Sequence, residues 1–163
     1  MEIGGLPLHP LVVHAAVVLT PTAAVLAVVY AVRARWRWLT RWPTVLTTVA
    51  ALGTLLVAKR SGASLLSSRA YLLHSPLIAQ RIHTHQALGN ELVVVMAVFT
   101  ALVLVAAWRL GGPSAVVGGW GERESRTAAL DRVLSAALVL GALVVLVWVV
   151  RTGDAGARAV WSR

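Results

Sequence analysis

Residues 10–32 read PLVVHAAVVLTPTAAVLAVVYAV, a run without one charged side chain. A bilayer core takes about 20 apolar residues of helix to cross, so this run predicts a transmembrane span. Three more follow: residues 42–58 between Arg41 and Lys59, residues 86–108 with Glu91 as the one acid, and residues 133–150 between Arg132 and Arg151. Continuous apolar sequence of this length reads as helix; barrel strands would alternate in short segments. The expected fold is therefore all-α, a four-helix transmembrane bundle formed by residues 1–163 as one integral membrane domain.

The composition agrees. Of 163 residues, 58% are hydrophobic and 13% charged, and mean hydropathy is +0.78. A soluble globule is about a quarter charged, and a disordered chain is poor in apolar residues, so both classes are excluded. The net charge of +9 would in a soluble domain suggest nucleic acid. Here the basic residues cluster between apolar runs, which points to the lipid bilayer and away from nucleic acid as the partner. The chain has no cysteine, so thiolate metal sites and thiol chemistry are absent.

Arg33, Arg35, Arg37 and Arg41 crowd the first loop, whereas the segment before the first span holds no Lys or Arg. By the positive-inside rule that loop is cytoplasmic and both termini are extracytoplasmic. Trp36, Trp38, Trp42 and Trp108 then mark the inner interface. No secretory signal is expected, because nothing basic precedes the first apolar stretch and that stretch is longer than a signal core. With 14 Arg against one Lys, the composition suggests a high-GC bacterium and a multi-pass protein of its inner membrane.

Between the second and third spans, Gly62–Leu73 is expected to lie as an interfacial helix. Ser75-Pro76 should start the third helix as N-cap and first helical residue. Residues 111–121, with five glycines and a proline, read as a flexible linker. Ala97 with Ala101, and Ala137 with Gly141, are expected packing faces. Pro21 should bend the first helix, with a neighbouring threonine meeting the freed carbonyl. No transporter-type inverted repeat stands out.

All five histidines (His9, His14, His74, His83, His85) fall on one side of this topology. His14 and Glu91 come at similar depth on different helices, and an ionisable group at such depth usually faces a partner inside the bundle. His14, Glu91 and Asn90 are expected to meet there. One consequence is a structural clasp. The other is a cofactor site, with His14 and His85 as metal ligands to one b-type haem and Glu91 or Asn90 supporting them. No helix carries the two well-spaced histidines that a second haem needs. If residues 74–85 were unwound, His74, His83 and His85 would suit copper or zinc. No nucleophile motif or phosphate-binding loop is present, so an enzyme is the less expected reading.

Pro7-Leu8-His9-Pro10-Leu-Val-Val-His14 resembles the opening motif of the domain-of-unknown-function 2231 family, small four-helix bacterial membrane proteins. Ser61-Gly62-x-x-Leu65, His85-x-x-Leu88-Gly89 and Gly153-Asp154-x-Gly156-Ala157-x-x-Val160-Trp161 continue the resemblance in order along the chain. It implies His9, His14, His85 and Gly153 as site residues. Asp154 and Ala63 depart from the family pattern, so neither is carried over as a ligand. Some members are joined to redox domains, which favours a haem- or quinone-linked electron-transfer protein with a redox partner. The alternative is a non-catalytic scaffold or accessory subunit, either one able to form a homo-oligomer. Gly153 and Gly156 are expected to permit a non-helical return that lays Val160 and Trp161 on the interface.

Overall fold

In a computed structural model, the structure describes residues 2–3, 6–110 and 128–161. The expected linker at 111–121 lies outside the described residues. Four long helices follow a two-residue antiparallel pairing of β1 (Glu2–Ile3) with β2 (Leu6–Pro7). They are α1 (Leu8–Val32), α2 (Arg37–Ser68), α3 (Pro76–Arg109) and α4 (Ala128–Trp161). All four are long and apolar enough to cross a membrane. Short 3₁₀ turns at Ala34–Trp36 and Ala70–His74 join α1 to α2 and α2 to α3.

Each helix packs on its two sequence neighbours, α4 closing back on α1, so α1 and α3 are diagonal. The side chains are sorted for a lipid solvent. Val17, Val18, Val25, Leu46, Val98, Leu140 and Val150 point outward, while Ala16, Ala23, Ala24, Ala27 and Ala31 form a buried stripe on α1. Small residues let helix backbones approach closely where lipid tails remove the hydrophobic drive between helices. Ala97 and Ala101 instead face outward, so that expected packing face is not used. Gly141 does pack: a Cβ there would stand 2.9 Å from a Phe99 ring carbon.

Polar groups in the core mostly satisfy themselves locally. Thr40, Thr44 and Thr48 are buried and each hydroxyl donates to the carbonyl four residues earlier, as does that of Thr100. Helix α1 continues through Pro21 as one element. Thr22 donates to the Val18 carbonyl at 2.8 Å, not to the Val17 carbonyl that the proline leaves unbonded.

At one end of the bundle, Arg37 ties three elements together. It donates from Nε to the Tyr30 carbonyl and from Nη2 to the Ala31 carbonyl, each at 3.2 Å, and so caps the last turn of α1. The same guanidinium reaches Ser135 Oγ at 3.3 Å and Asp131 at 3.8 Å on α4. Trp36, Trp38, Trp42 and Trp108 are exposed at this end, with Arg41 over the Trp42 ring and Arg109 over Trp108. The Tyr30 hydroxyl donates across the bundle to the Ala106 carbonyl at 3.2 Å.

The opposite end is more regular than expected. Helix α2 runs straight through Gly62 to Ser68, so residues 62–68 belong to it and form no separate interfacial helix. Helix α4 likewise continues through Gly153 and Gly156 to Trp161, and the expected non-helical return does not occur. A glycine inside a helix costs only about 1 kcal/mol relative to alanine, which the other bonds of a long helix offset. Ser75 does precede Pro76 at the start of α3, but its side chain makes no capping bond.

Candidate functional site

His9 lies in the first turn of α1 and His85 in the third turn of α3, so the diagonal pair of helices aims one imidazole each toward the middle of the bundle end. Both rings are half-buried, with centroids 6.4 Å apart and planes at 75°. His9 Nδ1 is 2.9 Å from the Ala58 carbonyl on α2. His85 Nδ1 is 3.0 Å from the Thr152 carbonyl on α4. A carbonyl only accepts, so in both rings Nδ1–H is the donor. In the neutral rings Nε2 then carries the lone pair.

The glycines explain why the rings fit. A Cβ on Gly62 would stand 3.0 Å from His9 Cε1, and one on Gly156 would stand 3.0 Å from His85 Cε1. In each case the glycine lies four residues after the residue whose carbonyl accepts the histidine proton, one turn further along the same helix face. The two halves of the bundle thus hold their histidines in the same way: α1 on α2 through His9, Ala58 and Gly62, and α3 on α4 through His85, Thr152 and Gly156. Ser61 adds a hydroxyl on one side only, 3.4 Å from His9 Nδ1 and donating to the Ala58 carbonyl at 3.1 Å.

The other expected site residues are elsewhere. His14 is exposed and donates from Nδ1 to the Pro10 carbonyl of its own helix at 2.6 Å. Glu91 is also exposed and accepts from Trp148 Nε1 at 3.0 Å, while Arg151 lies 5.3 Å over the Trp148 ring. His14 and Glu91 therefore do not meet inside the bundle. Five residues turn a helix by about 140°, so with His9 facing inward His14 must face away. Asn90 and Glu91 line a shallow groove of about 380 Å³ with Val94, Val95 and Trp148 on the outer surface. Gly153 is exposed with open space around it; Gly156 is the glycine at the site. His74 and His83 are exposed, and residues 83–85 are helical, so the unwound three-histidine arrangement is not formed. Among the described residues no three His, Asp or Glu side chains are grouped to hold a metal ion.

Sequence reasoning passed over the Ala58 and Thr152 carbonyls and the contact role of Gly62 and Gly156. The carbonyls carry no residue-type signal. The glycines do, through the Ser61-Gly62 and Gly153-x-x-Gly156 pieces, whose ring contacts appear only once the helices are paired.

Four long apolar helices with a polar histidine end define an integral membrane helix bundle. The family model for predicted membrane proteins of the DUF2231 type matches residues 5–163, and the chain belongs to that family. No curated protein and no solved structure matches it.

Proposed function

We propose that His9 and His85 at the histidine end would hold one b-type haem, in an electron-transfer protein of the bacterial inner membrane. The observation that carries this is the pair of imidazoles, each fixed in the same tautomer by a backbone carbonyl, with centroids 6.4 Å apart. A histidine that binds a metal usually donates its other ring N–H to a carbonyl or carboxylate, which orients the ring and raises its basicity. An imidazole nitrogen binds a metal at about 2.0–2.1 Å and sits about 1 Å from its ring centre, so two imidazoles on opposite sides of one metal have centres about 6 Å apart. The donor set and spacing therefore suit a metal held between the two imidazoles. Bound haem would supply one-electron redox chemistry. The chain's own part is to orient both rings and, through Gly62 and Gly156, to leave room for them. His14, named with His85 from the sequence, is not part of this pair.

A second reading has its own support. Each Nδ1–H bond ties two helices together, so the histidines would equally serve as clasps in a scaffold or accessory subunit. A dithionite-reduced minus oxidised absorbance spectrum, taken on protein purified in mild detergent from haem-sufficient cells, separates the two. A sharp Soret and α-band near one haem per chain, lost in His9→Ala and His85→Ala but kept in His14→Ala, supports the haem site. A flat spectrum from folded, haem-supplied protein overturns it, and a lowered melting temperature in the first two variants then identifies the clasp.

A further inference from the structure

We infer that the cleft between α3 and α4 at the histidine end binds a phosphate anion, gripped by Arg81, Arg151 and Arg158. The cleft is an open one of about 630 Å³ on the outside of the bundle, with Thr84 and Leu88 on one wall and Asp154 on the other. Its chemistry is independent of whatever the histidine pair binds.

Three features point to phosphate. First, Arg81 on α3 and Arg151 and Arg158 on α4 line one cleft, in which Asp154 is the one acid among the lining residues. Arginine presents a planar fork of donors that matches the oxygens of a phosphate, and it is weakly enough hydrated to give up water there. Second, one arginine is already oriented by a neutral partner: the Arg151 guanidinium lies 5.3 Å over the Trp148 ring. Less of its side-chain freedom is then lost when an anion arrives. Arg158 Nε, by contrast, is 2.9 Å from Asp154 Oδ2, a carboxylate that competes with an incoming anion. Third, the depth is right. Arg151 is the first residue past the apolar run 133–150, and Arg81 and Thr84 precede the run 86–108. That puts the cleft at the headgroup layer, while Leu88 lies on the side of the hydrocarbon. A phospholipid seated here would place its phosphate among the arginines and its acyl carbons along α3 and α4. Inorganic phosphate would use the same donors without the apolar contact.

The test uses the full chain in mild detergent, with phosphatidylglycerol, phosphatidylcholine or inorganic phosphate added at matched phosphate concentration. Retained ligand is read by native mass spectrometry and the melting temperature by tryptophan fluorescence. Phosphatidylglycerol is expected to bind and raise the melting temperature, and each Arg→Gln change at 81, 151 or 158 to weaken binding about fivefold. Asp154→Asn removes the cleft's carboxylate and is expected to tighten binding, a direction that a folding defect does not produce. Protection by phosphatidylglycerol alone makes a lipid the source; equal protection by inorganic phosphate makes it the free anion. The inference is overturned if no phosphate compound binds the wild-type protein. It is also overturned if a folded R81Q/R151Q/R158Q triple variant retains phosphatidylglycerol as the wild type does, or if Asp154→Asn binds more weakly.

Discussion

Gly153 and Gly156 lie one turn apart near the end of α4, and the same substitution at both isolates what the histidine contact contributes. Alanine is favoured over glycine in a helix by about 0.8–1.0 kcal/mol, a gain available at either position. At Gly153 the new methyl meets nothing within 4 Å, so that gain stands alone and Gly153→Ala should be more stable than the parent. At Gly156 the methyl would stand 3.0 Å from His85 Cε1 and 3.2 Å from Nδ1. The ring must give by a few tenths of an ångström, at the expense of its Nδ1–H bond to the Thr152 carbonyl. Losing such a bond costs about 0.5–1.5 kcal/mol and crowding a packed site about 1–3 kcal/mol. Set against the helix gain, Gly156→Ala should lie about 0.5–3.5 kcal/mol below the parent, and further below Gly153→Ala. Reversible unfolding in mild detergent, followed by tryptophan fluorescence, measures both. If Gly156→Ala unfolds at or above the Gly153→Ala midpoint, His85 is not held against α4 as described, and the claim that Gly156 makes room for a fixed ring is refuted.

Two further substitutions probe the rest of the frame. Arg37→Gln removes a guanidinium that caps two carbonyls of α1 and reaches Ser135 and Asp131 on α4. With charged hydrogen bonds contributing about 1.5–3 kcal/mol each before relaxation, a net loss of about 2–3 kcal/mol is expected in the same unfolding assay, and a loss below the error would refute the capping role. Trp148→Phe keeps the ring and deletes the donor to Glu91. An intramembrane side-chain hydrogen bond averages about 0.6 kcal/mol, so a small destabilisation is expected, and Glu91→Gln combined with Trp148→Phe should cost little more than Trp148→Phe alone.

The spans were legible because hydrocarbon imposes one rule on every residue of a crossing helix, and the runs 10–32, 42–58, 86–108 and 133–150 each obey it. Where the helices end was less legible. The apolar runs say where hydrocarbon stops, but α2 extends beyond its run to Ser68 and α4 beyond its run to Trp161. The site was legible in part. His9 and His85 stood among the candidates, but depth along a helix was used to match His14 with Glu91 where rotation about the axis decides. Depth can be counted from a sequence. Facing depends on which neighbours a helix has, and the diagonal placement of α1 and α3 sends His14 and Glu91 outward while His9 and His85 turn in.

One residue in each of the four motif pieces, His9, Gly62, His85 and Gly156, then shares one physical explanation. A histidine at the head of α1 and another in the third turn of α3 each need a partner helix that offers a reachable carbonyl lone pair and no Cβ one turn later. The Ser61-Gly62 piece on α2 and the Gly153-Asp154-x-Gly156 piece on α4 meet that need at the matching places. In a transmembrane helix nearly every carbonyl is taken by the amide four residues on, so a carbonyl that also accepts from an imidazole uses its second lone pair. The ring must therefore lie close against the helix side, where a β-carbon on the following turn would crowd it at 3.0 Å. Glycine at 62 and 156 follows from that approach, not from a turn or a helix end. The same logic predicts that a serine at either glycine would be no better tolerated than alanine, since the obstruction comes from the β-carbon itself.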